Sequence, residues 1–231
     1  MIFEKLCLEA FDERNISKDI HEMNDHIKSL LVNAPPSHEI PFEVLQEIRR
    51  KGGGLLESQP YSEKAENRLI NYDNKKVTIR IFNHDSPNFV YLHIHGGGHC
   101  IGAADMQDQS LEKISNDLNC VVVSVEYRLA PVNPYPAAPD DCEAAAIWLI
   151  ENSKGQFNTE KIVIGGESAG ANLSAVTLQR LKSKGLLDNV KGANLIYGSY
   201  DARLTPSTLR QQGSDEIFLL SYEMIRKFRD S

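Results

Sequence analysis

The spacing of hydrophobic positions changes near residue 66, and this change predicts two kinds of structure. Up to residue 50, apolar residues recur with helical spacing in short stripes that Ala34-Pro35-Pro36 interrupts and the glycine run 52–54 ends. The apolar members of these stripes are Phe3, Leu6, Leu8, Phe11, Ile27, Leu30, Leu31, Phe42, Val44, Leu45 and Ile48. Because helices this short do not bury themselves, we expect residues 1–54 to form a cap laid over another domain.

From residue 66 onward, short apolar runs alternate with helical stripes, which is typical of a mostly parallel sheet flanked by helices. The predicted elements are strands at 68–70 and 77–82 joined by a turn at 73–75, a strand at 89–94, a helix at 111–118, a strand at 120–125, a proline-rich loop at 131–139, a helix at 141–152, a strand at 161–164, a helix at 168–184 and a strand at 193–197. The β-branched run 120–125 is typical of a strand buried on both faces. We therefore expect an α/β core over residues 55–200 and a second cap segment over 201–231 that contains an amphipathic helix.

Composition and charge exclude several classes of protein. With 231 residues, 41% of them apolar, the chain is long enough for one α/β domain with a sizeable core. A net charge of −7, with no basic run longer than Arg49-Arg50-Lys51, argues against nucleic acid and anionic membranes as partners. The apolar runs are far shorter than the roughly 20 residues of a membrane span, and the N-terminus has no signal-peptide pattern. We expect a cytoplasmic protein.

The four cysteines are scattered along the chain without a C-x-x-C pair. This distribution favours buried free thiols over disulfides. Cys100 lies directly after a glycine run, where a reactive thiol is one interpretation, but a small core residue is the expected one. The cysteines are Cys7, Cys100, Cys120 and Cys142.

A serine between two glycines lies where a predicted strand meets a predicted helix. The segment Gly166-Glu167-Ser168-Ala169-Gly170 has the G-x-S-x-G form of a nucleophile elbow. Such an elbow exposes the serine on a sharp turn and directs the positive end of the helix at developing negative charge. Because about one chain of this size in ten contains the motif by chance, its position between strand and helix is what makes Ser168 a candidate nucleophile.

A glycine run upstream supplies a second part of the same chemistry. His95-Gly96-Gly97-Gly98 follows the predicted strand 89–94, and backbone N–H groups in such a loop stabilise an oxyanion by roughly 3 kcal/mol each. An ordinary glycine-rich strand end or a phosphate-binding turn is the alternative. The sequence has neither a useful G-x-G-x-x-G frame nor a P-loop lysine, so an oxyanion hole is favoured.

Four motifs that follow one another in this order carry a resemblance to a known family. They are 95–98 (HGGG), 126–131 (EYRLAP), 133–138 (NPYPAA) and 166–170 (GESAG). Over residues 66–200 the chain resembles the hormone-sensitive-lipase-like (bacterial family IV) carboxylesterases, which have the α/β-hydrolase fold. The resemblance implies hydrolysis of short- to medium-chain acyl esters without a cofactor. It also implies Ser168 as nucleophile, Gly96, Gly97, Gly98 and Ala169 as oxyanion hole, and His95 and Glu167 as supports of the loop.

Two members of the expected catalytic triad have no counterpart in these 231 residues. The chain order in this fold is Ser, then Asp or Glu, then His, yet no histidine follows His99. His21 and His26 lie in the predicted cap, and the later acids lack the family's D-P-L context; these acids are Asp188, Asp201, Asp215 and Glu216. We therefore expect the last strands and helix of the fold to be missing and serine chemistry to be reduced by several orders of magnitude. The strand 193–197 is then an exposed edge, which favours a homo-oligomer or a completing partner.

Two other interpretations of the same residues stay open. A chain that keeps the pocket without the triad could act as a non-catalytic relic that binds a ligand or a protein partner. The spacing of His93, His95 and His99 could suggest zinc, but HGGG already explains His95 and no matching acid or thiolate cluster is evident, so no metal is expected. Glu126 and Arg128 are expected to form a structural ion pair that holds their loop.

Overall fold

A six-stranded sheet forms the centre of the computed structural model, which describes residues 12–52, 59–213 and 220–231. The strands are β1 Glu66–Tyr72, β2 Lys75–Phe82, β3 Val90–Ile94, β4 Val121–Glu126, β5 Ile162–Glu167 and β6 Val190–Ile196. The helices are α1 Lys18–Val32, α2 Phe42–Lys51, α3 Asp108–Leu118, α4 Ala137–Phe157, α5 Ala169–Ser183, α6 Pro206–Leu209 and α7 Tyr222–Arg229, with 3-10 turns at Glu13–Asn15 and Ser37–Glu39.

The strand order is β1-β2-β4-β3-β5-β6, and β2 alone among the described strands runs against the others. The predicted hairpin closes in a two-residue turn in which Asp73 and Asn74 both have positive φ, at 47° and 60°. Asp and Asn tolerate this conformation, and its twist matches that of the paired strands. The expected mostly parallel α/β sheet is thus confirmed, with β2 as its antiparallel member.

The crossing pattern of the chain opens a crevice at the carboxyl ends of β3 and β5. After β3 the chain passes through α3 to β4 on one side, and after β5 it passes through α5 to β6 on the other side. The loops that follow β3 and β5 therefore diverge, and ligands bind at such points in open α/β sheets. Ile94 pairs with Gly166 in the sheet register, so the HGGG and GESAG motifs lie side by side.

The central strands separate two hydrophobic layers. On the side of α4 and α5 the core contains Ile79, Leu92, Val123, Ile147 and Leu173, and on the side of α3 it contains Phe82, Tyr91, Leu111, Cys120 and Val122. Successive residues of β4 contribute to opposite layers because side chains alternate across a strand. This burial on both faces confirms the interpretation of the β-branched run.

Several element boundaries differ from the prediction. α4 begins at Ala137 instead of Asp141 and ends at Phe157 instead of Asn152. Pro139 fits its first turn because the N–H that proline lacks has no partner there. β5 continues through the glycines to Glu167. The apolar stripe 3–11, Cys7, Asp215, Glu216 and residues 218 and 219 lie outside the described residues.

A buried ion pair joins α3 to β2. The side chains of Arg80 and Asp108 are 1% and 0% exposed, and the guanidinium donates to both carboxylate oxygens, with Nε 2.7 Å from Oδ1. Its remaining donors reach the hydroxyl of Tyr61, the amide oxygen of Asn67 and the carbonyl of Ser62 at 2.7–3.0 Å. Buried charges are tolerated when every donor is satisfied in this way.

The two predicted cap segments meet through α2 and α7. Phe228 stacks on Phe42 with 5.7 Å between ring centroids, and Lys227 Nζ donates to the carbonyl of Ile40. The side chain of Gln46 bonds both backbone groups of Gly102. α1 is different, because none of its residues is buried. The covering layer over the loop after β3 is therefore built by α2 and α7.

β6 lies at an edge of the sheet within the described part of the chain, which agrees with the expected exposed edge. Leu195 and Ile196 are 39% and 40% exposed, and Tyr197, directly after the strand, is 77% exposed. The homo-oligomer inferred from such an edge stays a prediction that light scattering can test. None of the helices in the described ranges is both long and apolar enough to cross a membrane.

The Arg80–Asp108 pair yields a stability prediction with a control on the same helix. Asp108→Asn leaves a buried guanidinium without its counter-charge, and we expect unfolding free energy to fall by about 3–5 kcal/mol. Asp117→Asn removes an exposed partner of Lys113 and is expected to change stability very little. Urea unfolding of both variants measures the difference, and equal losses would contradict the assigned role of the buried pair.

Candidate active site

Ser168 occupies a sharp turn between β5 and α5. Its backbone has φ 55° and ψ −118°, a conformation that serine rarely adopts. A Cβ on Gly166 or Gly170 would lie 1.9 or 1.8 Å from the carbonyl oxygen of Ile94, so only glycine lets the turn approach β3 this closely. The Ser168 hydroxyl makes no capping bond to α5. The strand–turn–helix geometry predicted for a nucleophile elbow is present.

The glycine loop after β3 runs beside this turn. Gly97, Gly98 and His99 have φ of 126°, 60° and 66°, and a Cβ on Gly97 would lie 1.9 Å from the carbonyl oxygen of Ile101. Within the described ranges, the N–H groups of Gly97, Gly98 and Ala169 have no protein acceptor. These three donors are therefore available to a ligand oxygen.

Gly96 differs from the other glycines of the loop. Its N–H donates to Glu167 Oε1 at 2.6 Å, so it is already used inside the protein. A Cβ built on Gly96 would lie 3.3 Å from Ser168 Cβ, which shows how closely the loop passes the turn. The N–H of Gly96 thus holds the loop to Glu167. The sequence alone instead grouped Gly96 with the oxyanion donors.

The carboxylate of Glu167 links the two motifs. Besides Gly96 it accepts from Gln107 Nε2 at 2.5 Å and faces His93 Nε2 at 3.2 Å. Burial by itself raises the pKa of Glu167, but the bonds from His93, Gly96 and Gln107 outweigh it and lower this pKa to about 2. These bonds support the expected role of Glu167 as a support of the loop, which stays a prediction. Gln107 has no motif around it, so sequence reasoning missed it.

His95 is enclosed beneath the loop. Its ring stacks on Tyr127 with 4.2 Å between centroids, and its Nδ1–H donates to the carbonyl of Gly96 at 2.9 Å. The Tyr127 hydroxyl donates to the His95 carbonyl at 2.8 Å. Burial lowers the pKa of His95 to about 4, so the imidazole is neutral at pH 7. These contacts fit a residue that holds the loop.

The remaining histidines with candidate roles are dispersed. His93 Nδ1 contacts Ser124 Oγ at 3.0 Å, and burial lowers the pKa of His99, which lies against Asn172 and Gly98. His21 and His26 lie on the exposed surface of α1. Across residues 12–52, 59–213 and 220–231, no imidazole bonds to Ser168 and no three His, Cys, Asp or Glu side chains converge on a metal site.

The expected ion pair between Glu126 and Arg128 is wrong. Arg128 forms a two-pronged pair with Asp141, with both N–O distances at 2.8 Å, and its N–H reaches the same carboxylate at 2.9 Å. Glu126 instead accepts from the N–H of Ala104 at 2.6 Å. β4 ends at Glu126, so Arg128 lies in the loop beyond the strand, where Asp141 of α4 meets its guanidinium. The loop after β4 is therefore held by α4.

A groove of about 380 Å³ lies between α2 and the loop after β4. Its walls are Phe42, Glu43, Gln46, Cys100 and residues 126–133. Cys100 is 4% exposed, and burial raises its pKa to about 11. A thiol with this pKa stays protonated at pH 7, so Cys100 is the core residue that was expected. Cys120 and Cys142 are likewise buried and free.

The low pKa of Glu167 predicts a pH-dependent contribution to stability. Its folded pKa of about 2 lies below the ordinary value of 4.5, so the stabilisation is complete above that value and is lost as pH falls toward 2. Glu167→Gln is therefore expected to be less stable than the unsubstituted protein at pH 7, with a gap that narrows between pH 5 and pH 3. Urea unfolding across this range measures the gap, and a gap that stays constant would contradict the assigned bonds.

The chain matches known proteins over the region that holds this site. A family profile described as alpha/beta hydrolase fold matches residues 91–231. An arylesterase from Saccharolobus solfataricus is 36% identical over 139 residues, which cover 57% of this chain and 45% of that protein. The carboxylesterase NlhH from Mycobacterium tuberculosis is 36% identical over 129 residues, covering 53% and 40%. The chain thus spans less than half the length of these curated relatives.

Solved structures share the fold over nearly the whole chain. A hyperthermophilic esterase from the archaeon Pyrobaculum calidifontis has a TM-score of 0.77 at 24% identity, covering 93% of this chain and 69% of that one. A thermostable esterase from Pseudomonas putida has a TM-score of 0.77 at 19% identity, covering 91% and 66%. At these identities the likeness shows the fold alone. With the family profile matching more than half of its residues and the four motifs in order, the chain belongs to the hormone-sensitive-lipase-like family of α/β hydrolases.

Proposed function

We propose that this site is that of a serine carboxylesterase acting on short- to medium-chain acyl esters, with Ser168 as nucleophile. The observation that carries the proposal is the strained, half-buried turn of Ser168 beside three N–H donors that have no acceptor within the described ranges, on Gly97, Gly98 and Ala169. A carbonyl oxygen bound there gains negative charge as the serine attacks, and fixed donors stabilise it by roughly 3 kcal/mol each. Gly96 is left out because Glu167 already accepts its N–H.

The reaction proceeds in two acyl transfers. Ser168 Oγ bonds to the carbonyl carbon, its proton passes to a base, and the carbonyl electron pair moves to the oxygen held by the loop. The tetrahedral intermediate then expels the alcohol, which takes the proton, and leaves an acyl group on Ser168. Water attacks this ester in the same manner and releases the carboxylic acid. The positive end of α5 favours the negative charge in both steps, and no step needs a cofactor.

The base is the part of the triad that the described residues do not provide. His93 and His95 are bonded elsewhere, His99 lies against Asn172, and His21 and His26 lie on the surface of α1. We infer that residues 1–231 by themselves carry out serine chemistry slower by several orders of magnitude than a complete triad does. Since deacylation needs the base as much as acylation, an acyl group that forms on Ser168 persists.

Because the acyl group on Ser168 is expected to persist, the proposed reaction can be tested by detecting it. After prolonged incubation of the 231-residue protein with p-nitrophenyl butyrate, we expect one butyryl group per chain, located on Ser168 by peptide mass spectrometry. Ser168→Ala is expected to lack this adduct, whereas Ser183→Ala, which removes an exposed serine of the same helix, is expected to keep it. Steady-state release of p-nitrophenol is expected to differ little between the unsubstituted protein and Ser168→Ala.

Other outcomes lead to different conclusions. Adducts that form equally in Ser168→Ala would show that Ser168 is not the nucleophile, and the non-catalytic relic would become the better interpretation. Rapid turnover that disappears in Ser168→Ala would show that a base reaches the serine. The proposed impairment would then be wrong, and the proposed reaction would stand.

A further inference from the structure

A cationic side chain from α2 reaches the loop that the proposed reaction uses. Arg49 Nη1 lies 3.0 Å from the position that a Cβ on Gly97 would occupy. Gly97 directly follows Gly96, the residue that passes Ser168. Arg49 is half-buried in the last turn of α2. Burial is the main cause of the low pKa of His95, and the positive charge of Arg49 lowers that pKa further. The guanidinium is therefore close enough for its field to act within the site.

No acceptor bonds this guanidinium among the residues that the structure describes. Four arginines elsewhere in the described ranges do have carboxylate partners: Arg68 pairs with Glu66, Arg80 with Asp108, Arg128 with Asp141, and Arg180 with Asp140 and Glu143. Even the adjacent Arg50 pairs with Asp105 at 3.1 Å. A guanidinium has five donors, and burying it without an acceptor costs free energy.

The carboxylates around the loop are engaged elsewhere. Glu167 is bonded to His93, Gly96 and Gln107, and Glu126 accepts from Ala104. Arg49 thus presents a fork of unused donors beside the proposed oxyanion donor Gly97. A neutral acyl chain has no acceptor for these donors, whereas a carboxylate accepts two parallel hydrogen bonds from a guanidinium.

From these contacts we propose that Arg49 is a specificity-determining residue that selects esters carrying a carboxylate near the scissile carbonyl. The proposal rests on the proposed function and narrows its substrate class to half-esters of short dicarboxylic acids and similar anionic esters. The ester carbonyl enters the donors of Gly97, Gly98 and Ala169, and the carboxylate pairs with Arg49. The chemistry at Ser168 is unchanged, because Arg49 acts on the part of the substrate that does not react.

The test measures binding without turnover. Titration calorimetry with the Ser168→Ala protein compares the monomethyl esters of succinate, glutarate and adipate with the dimethyl ester of each acid, which has the same carbon skeleton but no charge. We expect at least one monoester to bind about tenfold more tightly than its diester. Arg49→Gln is expected to remove this preference, and Arg49→Lys to retain part of it. Arg50→Gln, on the adjacent residue, is expected to retain all of it.

The outcomes separate this inference from the proposed function. Equal binding of monoesters and diesters, or a preference that survives Arg49→Gln, would overturn the role of Arg49 even where Ser168 forms its butyryl adduct. A preference that depends on Arg49 supports the inference even where no adduct forms, and the proposed reaction alone then fails. If Arg49→Gln does not fold, the preference for monoesters is measured on the Ser168→Ala protein, with Arg49 in place, at increasing sodium chloride concentrations. A preference due to an ion pair weakens as the salt concentration rises, and a preference that does not weaken would overturn the role of Arg49.

Discussion

The close approach of the serine turn to the end of β3 is the constraint on which the site depends. Gly166 and Gly170 lie so near the carbonyl oxygen of Ile94 that a Cβ on either would overlap it. Only at this distance can Glu167 reach across to the N–H of Gly96 and hold the glycine loop beside Ser168. The position of Ser168, the proposed nucleophile, relative to the proposed oxyanion donors is therefore set by backbone packing. The strained φ of Ser168 is maintained by the strand and helix on either side of it.

Charge pairing organises the structure around this turn. The carboxylates of Asp108, Asp141 and Glu167 each receive several donors, and each joins separate elements or loops. Such pairs contribute less to net stability than their number suggests, because each charge must first leave water. Their clearer effect is on geometry, since a carboxylate with two or three donors holds a loop in one position. Within the described ranges Arg49 has no carboxylate partner, in contrast to Arg80 and Arg128.

The covering layer packs on the glycine loop after β3. A Cβ on Gly98 would lie 2.3 Å from the ring of Phe228, so α7 packs directly on the proposed oxyanion loop. α2 contributes Arg49 at Gly97 and Gln46 at Gly102. Side chains around the glycine loop thus come from segments whose sequences carry none of the four motifs. The surroundings of the loop therefore depend on how α2 and α7 pack on it.

The sequence by itself determined the order of strands and helices, the elbow at Ser168 and the glycine loop at 95–98. These features are encoded locally, in hydrophobic spacing and in glycines required by tight turns, so they can be recognised without knowing the partners. Only the tertiary structure decided that Gly96 serves Glu167, that Arg128 pairs with Asp141 instead of Glu126, and that Arg49 reaches the loop. Gly96 and Glu167 are 71 residues apart, and Gln107 and Glu167 are 60 apart. Contacts of this kind depend on which surfaces the packed sheet and helices bring together, and the hydrophobic periodicity of the sequence does not predict them.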